Sequence, residues 1–426
     1  MHTIKLKYWF MWGFAALFFL MDYFIRIAPS VMTNQLMATF HVGAFVVGAL
    51  SGIFYWAYLL MQIPVGVLFD RFGVRIPLIA AVALCTVGVF LFAVAHNLVV
   101  LYLARFLTGL AGAFSFVSAL KLVQILFPRH YFAVLAGVTQ ALGMVGAAVG
   151  DAPMAALISQ YGWRQVTLAI TVLFVLLLLG VMGVVRERRI IHSRIQEPVN
   201  TRGKIKVIES LIRVMGRAQT WINSAYIGFL YGPTAAFAGL WGVPYFTLYH
   251  HESTTMAAAQ IGTIFIGLAV GCPVMGWLSN MLGKRLLVMR ISAVTSFILI
   301  SLIIFGDHFP FLSLSSSAVI YSLLFLYGFF DSGIIPSYAV ATESNPPQLG
   351  GITLGVTNMA SLIIGALLLP LIGKILDSVW GGVMLHQHPL YTIANYQSAL
   401  LLLPLCFIVA FITTFFIKET HCQHLQ

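Results

Sequence analysis

Long apolar stretches separated by short polar segments divide the chain. Each stretch is about 20 residues long, which is the length that a helix needs to cross the hydrocarbon core of a bilayer. Strands of membrane barrels are about 10 residues long and alternate polar with apolar positions, and these unbroken stretches lack that alternation. The pattern therefore predicts twelve membrane-spanning helices, at residues 8–28, 44–69, 77–95, 98–121, 133–158, 165–185, 221–248, 258–281, 286–305, 316–341, 352–374 and 396–417.

A polar segment separates the twelve predicted spans into two sets of six. We predict an N-terminal bundle over residues 1–185, a cytoplasmic linker over 186–220 and a C-terminal bundle over 221–426. Between Lys206 and Arg217 apolar residues recur at helical spacing with basic residues among them, which favours a helix lying on the inner membrane surface. The predicted fold class is an all-α membrane protein.

Composition and charge agree with a membrane location. Of the residues, 60% are hydrophobic and 8% are charged, whereas soluble proteins have about 25% charged residues. The net charge of +11 comes mainly from the linker and from loops on one side of the predicted membrane. Cytoplasmic loops collect Lys and Arg, so both termini are predicted to be cytoplasmic, and nucleic-acid binding is not expected. Short loops and the lack of an N-x-S/T sequon favour a bacterial inner membrane.

Sequence features of enzymes and cofactor sites are missing from the chain. The four cysteines have no close partner at metal-ligand spacing. No Walker loop, dinucleotide fingerprint or H-E-x-x-H sequence is present. We therefore expect no enzyme activity, no metal and no cofactor.

A ten-residue signature lies between the second and third predicted spans. It reads GVLFDRFGVR, and a weaker copy, GWLSNMLGKR, lies between the eighth and ninth spans. The first copy resembles the loop signature of the major facilitator superfamily, and two copies are what a duplicated six-helix unit would produce. The resemblance implies two pseudo-symmetric six-helix bundles and secondary transport. The fixed positions are Gly66, Asp70, Arg71, Gly73 and Arg75.

The same resemblance implies that this loop is a cytoplasmic gate. Gly66 and Gly73 would allow a tight turn and a close approach to a neighbouring helix. Asp70 would then face the N-terminal end of the eleventh span near Gly351, where the helix dipole favours an anion. The two arginines of the signature would lie at the level of the lipid headgroups.

Several charged residues fall inside predicted spans, where each costs about 2.5–3.5 kcal/mol near the bilayer centre. Asp22 and Arg26 lie four residues apart on the first span and so share a helical face. Arg105 lies at a similar depth on the fourth span. We predict that Asp22 takes up protons and that Arg26 binds a substrate anion. The competing interpretation is an ion pair that only packs helices together.

The segment from Tyr23 to Arg26 resembles the Tyr-x-x-Arg of the first span in organophosphate and organic-anion permeases. The resemblance implies that Arg26 binds the substrate anion. The seventh span lacks the second arginine of organophosphate exchangers, which favours carboxylates, with Arg105 as a second cation. Lys121 is either a further cation or a side chain that reaches the inner headgroups. The predicted substrate-binding residues are Tyr23, Arg26, Arg105, Lys121, Tyr231, Trp241 and Asp331.

The function predicted from these features is proton-coupled transport of a small carboxylate-bearing metabolite, such as an organic acid or amino acid. The expected partners are this substrate, protons and the lipid bilayer, and the chain is expected to be a monomer. Two alternatives stay open: a proton-driven exporter of drugs or siderophores, and a sensor that moves nothing. Gly137, Gly146 and Gly150 are spaced as in the antiporter signature of drug exporters, but Asp151 stands where that signature has proline.

Overall fold

The computed structural model describes residues 5–128, 131–185, 207–306, 316–346, 349–385 and 388–423. Within these ranges the chain is helical apart from short connections and a small antiparallel hairpin of β1 (Met384–Leu385) and β2 (His388–Pro389). In the first half the helices are α1 (Leu6–Ile27), α2 (Pro29–Phe40), α3 (Ala44–Phe72), α4 (Arg75–Val94), α5 (Leu98–Leu126), α6 (Phe132–Tyr161) and α7 (Trp163–Val184).

The linker and second half contain the remaining helices. They are α8 (Val207–Met215), α9 (Ala218–Ala236), a π-helix (Phe237–Trp241), α10 (Gly242–Tyr249), α11 (Thr254–Leu282), α12 (Arg285–Phe305), α13 (Ser317–Asp331), α14 (Ile334–Glu343), α15 (Gly350–Ser378), α16 (Ile393–Leu400) and α17 (Leu402–Thr413). α8 lies within the predicted linker, and its place on the inner membrane surface stays a prediction. Eleven stretches of the described chain are long and apolar enough to cross a membrane.

The seventh predicted span is the one outside those eleven, and it runs through α9, the π-helix and α10. The Gly242 N–H bonds to the Phe237 carbonyl, five residues earlier, which gives one wide turn. Pro244 follows directly, and its ring would clash with the Leu240 carbonyl in a regular α-helix. The regular helix is therefore interrupted by a π-helical turn at Phe237–Trp241, whereas Gly232 and Pro233 lie inside α9.

The first span is longer than predicted and is interrupted. α1 ends at Ile27, and α2 continues from Pro29 to Phe40, twelve residues beyond the predicted end at residue 28. Proline has no N–H and its ring disturbs the preceding turn, so the interruption falls at Pro29. Polar residues such as Asn34 and Gln35 lower the hydropathy of α2, and this hid the extension in the sequence.

The described chain forms two compact units. The first contains Met1–Arg26, Ile53–Ala147 and Leu157–Ile205, and the second contains Ile27–Gly52, Ala148–Ala156 and Lys206–Gln426. These units do not follow the predicted division at the linker, because the second unit includes two segments from the first half, Ile27–Gly52 and Ala148–Ala156. The division into the bundles 1–185 and 221–426 stays a prediction.

Within the second unit, the start of α3 is held by residues near the end of α15. The Asp377 carboxylate accepts hydrogen bonds from the Ala44 N–H at 3.0 Å and the Phe45 N–H at 2.9 Å. The Tyr391 hydroxyl bonds to Asp377 and lies 2.9 Å from the Ala44 nitrogen. Further along, a Cβ at Gly48 would lie 2.3 Å from the Leu369 carbonyl oxygen. The predicted outer end of α3 thus packs closely on α15.

Candidate functional site

Arg105 stabilises the interruption in the first span. Pro29 cannot donate to the Ile25 carbonyl four residues earlier, which would otherwise be left without its helical partner. Arg105 Nη1 donates to the Ile25 carbonyl at 3.0 Å, and Nη2 donates to the Arg26 carbonyl at 3.1 Å. Its guanidinium lies 4.8 Å from the centre of the Phe54 ring. Both terminal nitrogens of Arg105 therefore bind backbone.

Asp22 and Arg26, which their spacing places on one helical face, form an ion pair. Arg26 Nη2 donates to Asp22 Oδ2 at 2.8 Å, and the Ser115 hydroxyl on α5 donates to the same oxygen at 3.2 Å. Both members of the pair are buried. A Cβ at Gly112 would lie only 2.4 Å from Asp22 Oδ1, so α5 approaches the carboxylate at a position without a side chain.

Four aromatic rings from α1 and α3 surround the Arg26 guanidinium. The distance from its central carbon to the ring centre is 4.3 Å for Tyr23, 4.9 Å for Tyr58, 5.3 Å for Phe54 and 6.0 Å for Tyr55. A desolvated cation over an aromatic face gains about 2 kcal/mol. Only Tyr23 of these rings was predicted from the sequence, although the spacing of Phe54, Tyr55 and Tyr58 places them on adjoining faces of one helix.

Three polar atoms in this cluster are buried and have no hydrogen-bond partner among the described residues. They are Asp22 Oδ1, Arg26 Nε and Arg105 Nε. Buried polar atoms are nearly always paired in folded proteins, so unpaired atoms such as these are typical of sites that bind a ligand or water. The cluster has two cations and one anion, and it is able to bind a further negative charge.

The other predicted substrate-binding residues are not part of this cluster of Asp22, Arg26 and Arg105 in the first unit. Lys121 lies on α5 about 24 Å along the helix from Arg105. Tyr231, Trp241 and Asp331 belong to the second unit. The Trp241 N–H already donates to the Leu369 carbonyl at 3.1 Å. Their roles in substrate binding stay predictions.

Asp331 differs from Asp22 in having no charged partner among the described residues. It is fully buried at the end of α13, and neither carboxyl oxygen has a hydrogen-bond partner among the described residues. The nearby Thr234 hydroxyl lies 2.7 Å from the Tyr327 hydroxyl and bonds there. The Tyr226 hydroxyl, also near, donates to the Met289 carbonyl at 2.9 Å.

The predicted gate loop is only partly described. Gly73 has a φ of 74°, a left-handed conformation that favours glycine, in agreement with the predicted tight turn. Gly66 lies inside α3, and a Cβ there would meet nothing within 4 Å, so a close approach does not explain this glycine. Arg71 is exposed beside the Phe72 ring, and Arg75 Nη2 lies 3.4 Å from the Met182 carbonyl. The side chain of Asp70 is outside the described set, and its contact near Gly351 stays a prediction.

The second copy of the signature forms a bonded cluster at the start of α12. Arg285 donates to both carboxylate oxygens of Glu343, at 2.6 Å and 3.3 Å, and to Asn280 Oδ1 at 2.6 Å. The carboxylate of Glu419 accepts the N–H groups of Arg285 and Leu286, both at 2.9 Å. Asn280, which replaces the acid of the first copy, still accepts a bond from the arginine.

Comparison with known proteins identifies the class of this chain. Residues 13–370 match the family described as Major Facilitator Superfamily. The chain belongs to this superfamily, and it is an integral membrane transporter of small molecules rather than an enzyme. This confirms the family, the twelve-helix fold class and the transporter function predicted from the sequence.

Named relatives come from bacteria. The chain is 24% identical to the D-galactonate transporter of Escherichia coli O6:H1 strain CFT073 over 84% of this chain and 86% of the relative. It is 30% identical to the uncharacterized transporter YybO of Bacillus subtilis over 38% of this chain, and that match spans 37% of the relative's length. It is 32% identical to the probable galactarate/D-glucarate transporter GudP of Pseudomonas putida over 25% of each.

Solved structures show the same fold. A bacterial homolog of the human lysosomal transporter Spinster, crystallised inward-facing and occupied, matches with a TM-score of 0.80 at 16% identity over 97% of both chains. The nucleoside transporter NupG matches with a TM-score of 0.76 at 13% identity over 98% of this chain and 100% of the other. At these identities the likeness establishes the fold alone.

Proposed function

We propose that the protein transports a small carboxylate-bearing metabolite, a sugar acid or a related organic acid, together with protons. The observation that carries the proposal is the buried Arg26 guanidinium, which is surrounded by aromatic rings and whose Nε has no partner in the described part of the chain. Two relatives named for galactonate and for galactarate or glucarate support this substrate class.

Arg26 is the residue proposed to bind the substrate carboxylate. A guanidinium binds a carboxylate through two parallel N–H donors, and such charge-assisted pairs are about twice as strong as neutral hydrogen bonds. Arg26 Nε supplies a donor that none of the described residues uses. The faces of Tyr23 and Tyr58 would pack against the carbon skeleton of the substrate. Arg105 acts as a positioning residue, because it holds the carbonyl of Arg26 itself.

Asp22 is proposed to couple substrate binding to protons. It shares Arg26 with the incoming carboxylate, since Arg26 Nη2 is bonded to Asp22 Oδ2 at 2.8 Å. When the substrate takes over Arg26, the buried Asp22 carboxylate loses its counter-ion, and an unpaired buried charge is strongly destabilising. A proton from water on the side of entry then binds to Asp22. When the substrate leaves, Arg26 pairs again with Asp22 and the proton is released.

Uptake by proteoliposomes tests this proposal. With radiolabelled D-galactonate as the probe and an imposed pH gradient, the wild-type chain should accumulate the anion. Asp22→Asn should still exchange labelled for unlabelled D-galactonate but should lose accumulation driven by the gradient. Arg26→Lys should lose both, because an ammonium cannot make the two parallel bonds.

Two controls make the outcome decisive. Glu209→Gln changes an exposed acid on α8 to its amide and should leave both measurements unchanged. Galactarate, glucarate and a neutral sugar are tested as competitors of D-galactonate uptake. Inhibition of uptake should increase with the number of carboxylate groups in the competitor. Full transport by Arg26→Ala, or competition by the neutral sugar alone, would contradict the carboxylate site. Accumulation that persists in Asp22→Asn would remove Asp22 as the proton carrier.

A further inference from the structure

Asp151 on α6 is a buried carboxyl that the proposed transport cycle does not use. It lies about 15 Å along the helix from Tyr161, and Tyr161 is at the predicted outer end of α6. The side chain is fully buried. Its Oδ1 accepts a hydrogen bond from the Ser30 hydroxyl on α2 at 3.3 Å, whereas Oδ2 is buried and has no partner among the described residues.

No cation accompanies Asp151 within the described part of the chain. Contacts with α6 are described for α1, α2 and α11, through Trp12 with Thr139, Ser30 with Asp151, and Ala148 with Gly262. α2 contains no ionisable side chain, and α11 contains only Cys272. The ionisable groups of α1 are Lys7, Tyr8, Asp22, Tyr23 and Arg26, and none of them interacts with Asp151, whose one polar interaction is with Ser30.

This geometry fits a neutral carboxylic acid and not a carboxylate. An ionised carboxylate that leaves water without a counter-ion is very unfavourable, and a single neutral hydrogen bond of 3.3 Å does not offset that cost. In the neutral acid, Oδ1 is the carbonyl oxygen that accepts from Ser30, and Oδ2 carries the proton. The buried state of Asp151 therefore requires one bound proton.

Asp151 is buried while the outer segments are packed together as in this structure. Ser30 and Asp151 both lie in the segments Ile27–Gly52 and Ala148–Ala156, which form a compact unit with the second half of the chain. The same unit contains the bonds from Asp377 to the start of α3. In a transporter that alternates access, these outer contacts must open to admit substrate from outside, and opening would bring water to Asp151.

We propose that Asp151 is a second proton-binding site, which takes up a proton from the outer side before the outer segments close. The reaction is the addition of one proton from outer water to the Asp151 carboxylate, and its reverse when the segments open. The inference deepens the proposed function, on which it rests for the direction of coupling. It gives the departure from the antiporter signature, Asp151 in place of proline, a chemical role.

Infrared spectroscopy on the purified full chain in lipid nanodiscs tests the proton site without any substrate. Difference spectra between acidic and alkaline buffer should contain the carbonyl band of a protonated carboxylic acid that Asp151→Asn removes. Ser30→Ala keeps the acid but should shift that band, because the carbonyl oxygen loses its donor. Glu209→Gln, at an exposed carboxylate, should leave the band in place. The same band at wild-type intensity in Asp151→Asn, or an unshifted band in Ser30→Ala, would overturn the assignment.

Spin labels at His96 and Gly381, both in predicted outer loops, test the link to closure. In the wild-type chain, rising pH should shift the distance distribution toward the open form, and in Asp151→Asn the closed form should persist at high pH. An unchanged pH dependence in Asp151→Asn would overturn the link.

A transport measurement separates this inference from the proposed function. If D-galactonate moves with protons on Asp22 and Asp151, the proton-to-substrate ratio from reversal potentials should fall by one in Asp151→Asn. No transport of any sugar acid would refute the proposed function and leave the infrared and spin-label results to decide on Asp151. Transport with an unchanged ratio would retain the proposed function and overturn the role of Asp151.

Discussion

Arg105 on α5 donates to the carbonyl of Ile25, the residue four before Pro29 in the first span. Because proline lacks an N–H, this carbonyl lacks the α-helical donor four residues later. A second bond joins Arg105 to the carbonyl of Arg26. The side chain proposed to bind substrate is therefore positioned by another arginine, through its backbone.

Replacing Arg105 tests this positioning. Arg105→Lys keeps the charge, but a single ammonium does not span both carbonyls as the guanidinium does. Each hydrogen bond to a charged donor contributes about 1.5–3 kcal/mol, so the free energy of unfolding should fall by about 2 kcal/mol or more. The melting temperature in detergent should fall, and the KM for D-galactonate should rise more than kcat falls.

Arg71→Lys is the matched control for Arg105, since Arg71 is exposed beside Phe72. It should leave the melting temperature nearly unchanged. An unchanged melting temperature in Arg105→Lys would contradict the role of Arg105 in positioning Arg26.

Gly112 tests the close contact between α5 and Asp22. In Gly112→Ala the new methyl group would lie 2.4 Å from Asp22 Oδ1, so the carboxylate must move away from Ser115 and Arg26. We expect at least a tenfold loss of gradient-driven D-galactonate uptake in proteoliposomes.

The control is Gly137→Ala on α6, where a Cβ meets nothing within 4 Å. It should retain full uptake and gain stability, because alanine favours a helix over glycine by about 1 kcal/mol. Equal uptake by the two variants would mean that the Asp22 contact is unimportant for transport.

Glu419 makes stability depend on pH. Burial alone would raise the pKa of this carboxyl, but the N–H groups of Leu286 and Arg285 outweigh burial and hold the pKa below its ordinary value of 4.5. A group whose pKa is lower in the folded state stabilises the fold above the unfolded value, and this contribution is lost as the pH falls through the folded one. The melting temperature should therefore fall on acidification below pH 4.5.

Glu419→Gln should reduce that dependence, because the amide does not titrate. It should also lower the melting temperature at neutral pH, where the wild-type carboxylate caps α12. Glu209→Gln on α8, an exposed acid with the same substitution, should keep the wild-type profile. Identical melting curves for Glu419→Gln and wild type across this range would contradict the cap.

Replacing Asp377 tests whether its bonds to the start of α3 keep the outer side closed. Asp377→Ala removes the acceptor for the N–H groups of Ala44 and Phe45, and loss of an N-terminal cap costs about 1 kcal/mol. The closed arrangement should become less populated. Labelling of Ser51→Cys with a maleimide measures this, because Ser51 is buried on α3. The background variant has Cys272 and Cys422 replaced by serine. In that background the introduced cysteine should react faster when Asp377→Ala is present.

Tyr391→Phe keeps the carboxylate and should have a smaller effect on this labelling rate. A labelling rate in Asp377→Ala equal to that of the parent would show that the cap does not control closure.

Local patterns predicted those parts of the protein that depend on neighbours in sequence. Apolar length predicted the spans, and the four-residue spacing of Asp22 and Arg26 predicted the shared helical face on which they form an ion pair. Periodicity predicted α8 within the linker. Each of these features follows from residues within one helix.

Contacts between helices were not predictable from the same patterns. Arg105 and Ile25 are 80 positions apart, and Glu419 lies 134 positions from Arg285. Nothing in the local sequence shows that Arg105 donates to the carbonyls of Ile25 and Arg26. The rings of Phe54, Tyr55 and Tyr58 look like ordinary packing until the fold places Arg26 among them.

The π-helical turn at Phe237–Trp241 decides where the seventh span can lose a residue. A turn of this kind holds one residue more than a regular α-helical turn. Deleting one residue there would convert the turn to α-helix, because the bond from the Gly242 N–H to the Phe237 carbonyl would then span four residues instead of five. The residues beyond the turn would keep their faces, and the Tyr245 hydroxyl, now 2.7 Å from the Ile304 carbonyl, would stay close to it. A deletion in the regular part of α9 would instead rotate everything beyond it by about 100°.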